Sequence, residues 1–315
     1  MNILITGVAG FIGFHLARRL VQEGHHVTGI DHLQASHALA LKRSRLKLLQ
    51  DEKIRFIQGD IHDFALLEKI VLEESISHCI HLAAEAGVRY SQIYPQSAVD
   101  TNISGFIPIL ELIRKYPHIP LIYASSSSVY GLNTKVPFAE DDILSSPAHL
   151  YGVTKQANEL MASTYHHLYN IKTAGLRFFT VYGPWGRPDM AYYFFTEKIL
   201  KEEPITLYGE GLLKRDFTYI DDIIQGIVAV LEQEFSCDIF NLGNHQPETV
   251  LTLVNLLEKK LKKKSVIHFK KEALGEVPVT YADLTKSQQI LNYFPQTSLS
   301  EGLDHFVKWY LHYRG

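Results

Sequence analysis

Short apolar runs alternate with longer amphipathic stretches along the first half of the chain. Residues 2–6 are an apolar run ending in glycines. Residues 11–22 then show helical periodicity, with Phe11, Leu16, Leu20 and Val21 on one side. Residues 26–30 are a second β-like run, ended by Asp31, and further short apolar runs follow at 54–57, 79–82, 121–124, 173–178 and 239–242. Amphipathic segments lie between them, notably 64–74, 97–116 and 150–169. Short strands separated by helices predict an α/β chain with a parallel sheet covered on both faces. The alternation is regular to about residue 178. Beyond it the order is mixed, with turn clusters at 182–189 (YGPWGRPD) and 208–211 (YGEG). A core over residues 1–178 and a smaller lobe mainly over 179–315 are therefore expected.

Composition narrows the function. The chain has 315 residues, 46% hydrophobic and 21% charged, which excludes a disordered protein. A formal net charge of −3 gives no bulk attraction for nucleic acid. Cys79 and Cys237 are the two cysteines, too few and too far apart for a disulfide framework or a zinc site, so no metal is expected. The opening MNILITGVAGFIG lacks a basic n-region and a cleavage site, and no apolar run approaches ~18 residues. The expectation is a soluble, cytoplasmic protein with no membrane partner. The lysine-rich run 259–264 reads as a solvated helix end rather than a binding patch.

The run Gly7-Val8-Ala9-Gly10-Phe11-Ile12-Gly13 joins the first strand to the first helix. Glycines there let the backbone turn tightly and let a phosphate approach without meeting a Cβ. The helix start offers free N–H groups and a partial positive charge to a diphosphate. Asp31 ends the second strand 18 residues after Gly13. A carboxylate in that place accepts hydrogen bonds from a ribose 2′-OH and repels a 2′-phosphate, which points to NAD rather than NADP. The fold class is then a Rossmann-like doubly wound parallel sheet with a smaller C-terminal substrate-binding lobe. The GxxGxxG spacing resembles the short-chain dehydrogenase/reductase superfamily, and the chain length resembles its extended branch. That resemblance implies cofactor contacts at Asp60 and Ile61 near the adenine and at Leu82, Ala83 and Ala84 after the fourth strand. It also implies that Asn102 steadies the neighbouring helix.

Tyr151 and Lys155 form a Tyr-x-x-x-Lys pair at the start of a predicted helix, where i and i+4 side chains share a face. With 17 tyrosines in the chain the pair alone is weak; its place, 25 residues after Ser126 at the end of a short strand, is what gives it weight. An unperturbed tyrosine is mostly protonated at neutral pH. A nearby ammonium and a positive nicotinamide ring favour the phenolate and make Tyr151 a usable base, with Ser126 bonding the same substrate oxygen. Within the run Ser125–Ser128, the choice of Ser126 rests on the spacing of the superfamily pattern.

Longer runs resemble the UDP-glucuronate 4-epimerases of the nucleotide-sugar epimerase/dehydratase family. They are Ala84-Glu85-Ala86-Gly87-Val88-Arg89-Tyr90-Ser91, Ser125-Ser126-Ser127-Ser128-Val129-Tyr130-Gly131 and the stretch from Arg177 through Pro184-Trp185-Gly186-Arg187 to Ala191. The resemblance implies NAD, a UDP-sugar substrate, a homodimer, and a 4-epimerisation through a transient 4-keto sugar. It places Arg215 on the diphosphate, for which a guanidinium fork is suited. It puts Arg187 and Arg89 beside the sugar nucleotide, and Ser127, Ser128 and Thr180 on the hexuronate carboxylate. A surface ion pair for Arg215 and loop capping for the hydroxyls are the plainer alternatives.

Three departures from the family pattern bear on the substrate. Glu85 stands where glutamine is usual, the stretch 33–41 lacks the usual polar loop, and 274–278 reads LGEVP where PGDVP is usual. A UDP-glucose/UDP-galactose 4-epimerase remains the nearest alternative. A dehydratase is disfavoured, because Ser127 and Ser128 stand where related dehydratases place an Asp-Glu pair. A decarboxylase acting on UDP-glucuronate, and an NAD-binding sensor without activity, are more remote readings.

Overall fold

Alternate residues of the first strand face two different cores, and this sets the layers of the molecule. Ile3 and Ile5 enter one apolar cluster while Leu4 enters another, and all three are fully buried. Such a strand needs cover on both sides, which a doubly wound sheet provides. The computed structural model describes residues 1–33, 39–52, 54–144, 146–271 and 277–314. The sequence departures at 34–38 and 274–276 lie outside the described residues.

The strands are β1 (Asn2–Thr6), β2 (His26–Asp31), β3 (Arg55–Gln58), β4 (His78–His81), β5 (Leu121–Ser126) and β6 (Thr173–Phe178). They continue with β7 (Thr180–Tyr182), β8 (Ile205–Tyr208), β9 (Lys214–Tyr219), β10 (Cys237–Leu242), β11 (Pro247–Thr249) and β12 (Ile267–Lys270). Seven form one parallel sheet in the order β10-β6-β5-β4-β1-β2-β3. The order reverses between β1 and β4, and the crevice beyond the carboxyl ends of these two strands is where such sheets take ligands. β10 reaches the sheet from the second half of the chain. Two smaller sheets, β11-β9-β7 and β12-β8, complete the strands.

The expected elements are present within a few residues of their predicted ends, and the helix Phe11–Gln22 agrees at both. The amphipathic segment 97–116 differs. It divides into helices Pro95–Val99 and Phe106–Lys115 joined by a π-helical turn, Asp100–Ser104. The cause is a tertiary contact: the Asn158 amide donates to the Asn102 carbonyl at 2.6 Å and draws it from the helical ladder, and Gly105 N–H bonds Asp100 O at 2.8 Å. Helices Leu39–Asp51 and Val88–Ile93 are additional to the sequence reading. Among the described residues no helix is long and apolar enough to cross a membrane.

Candidate active site

The glycine turn is closed by contacts that only glycine permits. Gly7 has φ +73°, and a Cβ there would lie 2.7 Å from Ala83 N. A Cβ on Gly13 would lie 2.4 Å from the Gly7 carbonyl oxygen, so the helix packs hard against the turn. Gly7 N–H bonds Ile30 O at 2.8 Å and Gly10 N–H bonds Gly7 O at 2.9 Å. Helix geometry leaves Phe11, Ile12 and Gly13 N–H without intrahelical acceptors, aimed into the crevice mouth. A diphosphate suits this cradle in size and charge, so the residues present fit a dinucleotide.

Asp31 closes the far side of the turn. Its Oδ2 accepts from Ala9 N–H at 3.2 Å, and its Oδ1 accepts from Leu33 N–H and Lys42 Nζ, both at 2.9 Å. Burial opposes its ionisation, but His32, Lys42 and the Leu33 N–H outweigh burial and hold the carboxyl at about 2. Asp60 is exposed and is oriented by His62, through the ring at 2.7 Å and the backbone N–H at 3.0 Å, while Ile61 beside it is buried. Across the turn, Leu82 N–H bonds Thr6 O, and Ala83 N–H bonds Thr6 Oγ1 at 3.2 Å, with Ala84 following. Thr6 Oγ1 is also 2.8 Å from Nδ1 of His81, a ring that burial keeps neutral, with its pKa pushed down to about 3.

Asn102, expected to steady the neighbouring helix, spends its side chain on the protein. Its Oδ1 accepts from Glu85 N–H at 2.8 Å, and its Nδ2 donates to Glu85 O at 3.0 Å and Thr154 Oγ1 at 3.1 Å. It thereby ties the π turn to the helix Leu150–Tyr169, which carries Tyr151 and Lys155.

The structure brings Ser126, Tyr151 and Lys155 to one place at the end of β5. The Ser126 hydroxyl, which accepts from Ser128 N–H at 3.2 Å, lies close enough to the Tyr151 phenol to favour its ionisation. Ser125 points elsewhere, donating to Glu159 Oε1 at 2.5 Å, which distinguishes the two neighbouring serines. Lys155 is 2% exposed and donates to Ala124 O at 2.9 Å. Burial lowers its pKa to about 8, so it remains largely protonated at neutral pH. Burial also raises the Tyr151 pKa, opposed by the charge of Arg187 and the hydroxyl of Ser126. The expected lowering of the phenol by Lys155 is therefore not what this protein shows by itself; the guanidinium of Arg187 acts in that direction instead.

The residues expected on the substrate side come from several elements, and Arg187 is the one whose charge reaches Tyr151. Arg187 pairs with Asp189 (Nε to Oδ1, 3.0 Å) and donates to Ala86 O at 2.7 Å. Arg89 is exposed and lies 5.9 Å from the Tyr208 ring centroid. Arg215 donates to Lys214 O and Val277 O, both at 2.8 Å. Ser127 and Ser128 form the short 3₁₀ turn after β5, and Thr180 opens β7 opposite Phe217. Sequence reading missed Lys42 and Arg45. The signal was present, since Leu41, Arg45 and Leu49 share the buried side of the helix Leu39–Asp51, and a charged residue in an apolar stripe has a partner to serve.

A family profile described as the NAD dependent epimerase/dehydratase family matches residues 3–243. The chain is 45% identical to UDP-glucuronate 4-epimerase 4 of Arabidopsis thaliana, over 99% of this chain and 76% of that one. A crystal structure of a Bacillus cereus UDP-glucuronic acid 4-epimerase, in complex with UDP-glucuronic acid and NAD, superposes with TM-score 0.93 at 36% identity, covering 99% of this chain and all of that one. A Thermotoga maritima UDP-glucose 4-epimerase with UDP-glucose superposes with TM-score 0.91 at 31% identity over the whole of both chains.

Proposed function

The chain belongs to the NAD dependent epimerase/dehydratase family, and from that premise we propose that it is an NAD-dependent UDP-hexuronate 4-epimerase, interconverting UDP-glucuronate and UDP-galacturonate. The observation that carries this reading is that Ser126, at the end of β5, and Arg187 both bear on the Tyr151 phenol, in a chain whose first strand ends in the Gly7–Gly13 cradle. The identity to UDP-glucuronate 4-epimerases supports the choice of sugar, since the overall fold is shared with a UDP-glucose enzyme.

Tyr151 takes the proton of the sugar O4 hydroxyl, and Ser126 holds that oxygen in line. NAD, which the Gly7–Gly13 cradle and Asp31 would hold, would supply reversible hydride transfer at sugar C4, with no net redox change. Tyr151 then gives its proton back to O4. Lys155, fixed on Ala124 O, keeps a positive charge under the site, and Asp31 receives the adenosine ribose. The main contribution of the protein is alignment of the reacting atoms. Arg187, Arg89 and Arg215 bind the sugar nucleotide in this reading, and Ser127, Ser128 and Thr180 hold the carboxylate.

We also read the protein as a cytoplasmic homodimer. Cys79 and Cys237 are free thiols, which suits a reducing compartment. The outer faces of the helices around Asn102 and Tyr151 expose Ile93, Ile107, Leu160 and Leu168, and light scattering tests the dimer. The function itself is tested by NMR identification of products from UDP-glucuronate and UDP-glucose. Charge-assisted hydrogen bonds to a carboxylate are worth ~1.5–3 kcal/mol each, so kcat/KM for UDP-glucuronate should exceed that for UDP-glucose more than about tenfold. Equal values for the two sugars overturn the hexuronate assignment.

A further inference from the structure

Three consecutive carbonyls, those of Pro184, Trp185 and Gly186, are held by side chains from the dinucleotide-binding layer. His15 Nε2, on the first helix, lies 2.9 Å from Pro184 O. Arg45 Nη2, on the helix Leu39–Asp51, donates to Trp185 O at 2.5 Å and to Gly186 O at 3.4 Å. The other arm of Arg45, Nη1, donates to Ala9 O at 2.8 Å, inside the glycine turn. Ala9 is thus gripped at both ends, since its N–H already bonds Asp31.

Several features set this contact apart from ordinary packing. Arg45 is 2% exposed, and its hydrogen-bond partners among the described residues are all backbone carbonyls. A buried guanidinium without a carboxylate at its hydrogen bonds is expensive to keep. Its Nε is buried with no acceptor among the described residues. The strapped segment is strained: Trp185 has φ +59°, where a side chain is disfavoured, and such residues persist only when their surroundings hold them. The residue that follows the strap is Arg187.

We propose that Arg45, with His15, is a positioning residue that fixes Pro184–Gly186 against the glycine turn and so sets Arg187 in register with the bound cofactor and Tyr151. The inference rests on the reading of Arg187 as a ligand of the UDP-sugar. The arrangement couples the two halves of the site. A shift of the glycine turn passes through the guanidinium to the strap, and from the strap to the sugar-binding arginine.

The test is a double-mutant cycle of Arg45→Met and Arg187→Ala in the cofactor-loaded protein. It follows kcat and KM for UDP-glucuronate, and the Kd for UDP by calorimetry. Arg45→Met should raise KM and the UDP Kd about tenfold or more, because small misplacements are costly in aligned sites. Added to Arg187→Ala, it should change kcat/KM less than about threefold, since the residue it positions is already gone. Effects that multiply independently, or a lower Tm with unchanged KM and UDP affinity, overturn the proposal. Should Arg45→Met fail to fold, Arg45→Lys and His15→Phe replace it: His15→Phe should raise KM, and His15→Gln, which restores a donor, should recover it. Equal KM in those two His15 variants overturns the proposal. An unmodified protein that binds UDP but turns over no hexuronate refutes the function proposed above, and the UDP affinities then decide the role of Arg45 separately.

Discussion

Arg177 and Glu159 meet through two parallel hydrogen bonds, Nε to Oε1 at 2.9 Å and Nη2 to Oε2 at 2.8 Å, with both side chains more than nine-tenths buried. Glu159 lies one turn beyond Lys155 on the helix that carries Tyr151, and Arg177 lies on β6. The pair therefore fastens that helix to the sheet. Glu159→Ala leaves a buried arginine unpaired, which costs about 3–5 kcal/mol. At roughly 2 °C per kcal/mol for a chain of this size, Tm should fall by ~6–10 °C. A change under ~2 °C by calorimetry removes the pair from the stability of the fold.

Tyr151→Phe keeps the ring and removes the proton acceptor. Epimerisation should fall ~10²–10⁴-fold, the usual contribution of a general base. NAD affinity should change little, since the cradle of Gly7 and Gly13 is untouched. Full turnover in this variant excludes Tyr151 from the chemistry.

Cofactor choice turns on Asp31 and on the lysine bonded to it. NADPH should bind the cofactor-free protein at least about tenfold more weakly than NADH, because a carboxylate repels a 2′-phosphate. Asp31→Ser frees the Lys42 ammonium beside the same ribose position and should bring the two affinities within a few-fold. Equal affinities before the substitution, measured by fluorescence titration, contradict this account.

Acid stability should carry the mark of His81. Burial depresses its pKa to about 3 in the folded protein, against about 6.5 when unfolded. Between those values the unfolded chain holds the extra proton, so stability declines as pH falls from 6.5 toward 3. In His81→Asn the unfolding free energy should depend less steeply on pH across this window. An unchanged slope in urea titrations at several pH values shows that His81 is not the group responsible.

The glycine turn, the strands up to β6 and the Tyr151–Lys155 helix were legible because each depends on local chemistry: backbone room, short apolar runs and the i,i+4 spacing. Ser126 was legible only through its distance from Tyr151, and the structure separates it from Ser125 by what each hydroxyl bonds. The π turn at Asp100–Ser104 was hidden, since it arises from Asn158, more than fifty residues away. The steadying role of Asn102 was implied by the resemblance alone, since its partners, Glu85 and Thr154, become visible only once the chain is folded. The role of Arg45 depends on carbonyls that carry no side-chain signature at all.

The place of β10 in the large sheet has a consequence for the order of events during synthesis. β10 pairs along the whole of β6, from Cys237 opposite Thr173 to Leu242 opposite Phe178. Some sixty residues separate the two strands, and at roughly 5–20 residues per second the ribosome takes about 3–12 s to deliver the second after the first. During that interval β6, whose six residues are all buried in the finished protein, offers an open apolar edge. Nascent chains stalled between residues 178 and 237 should therefore be bound by chaperones, or aggregate, more readily than chains stalled beyond 242.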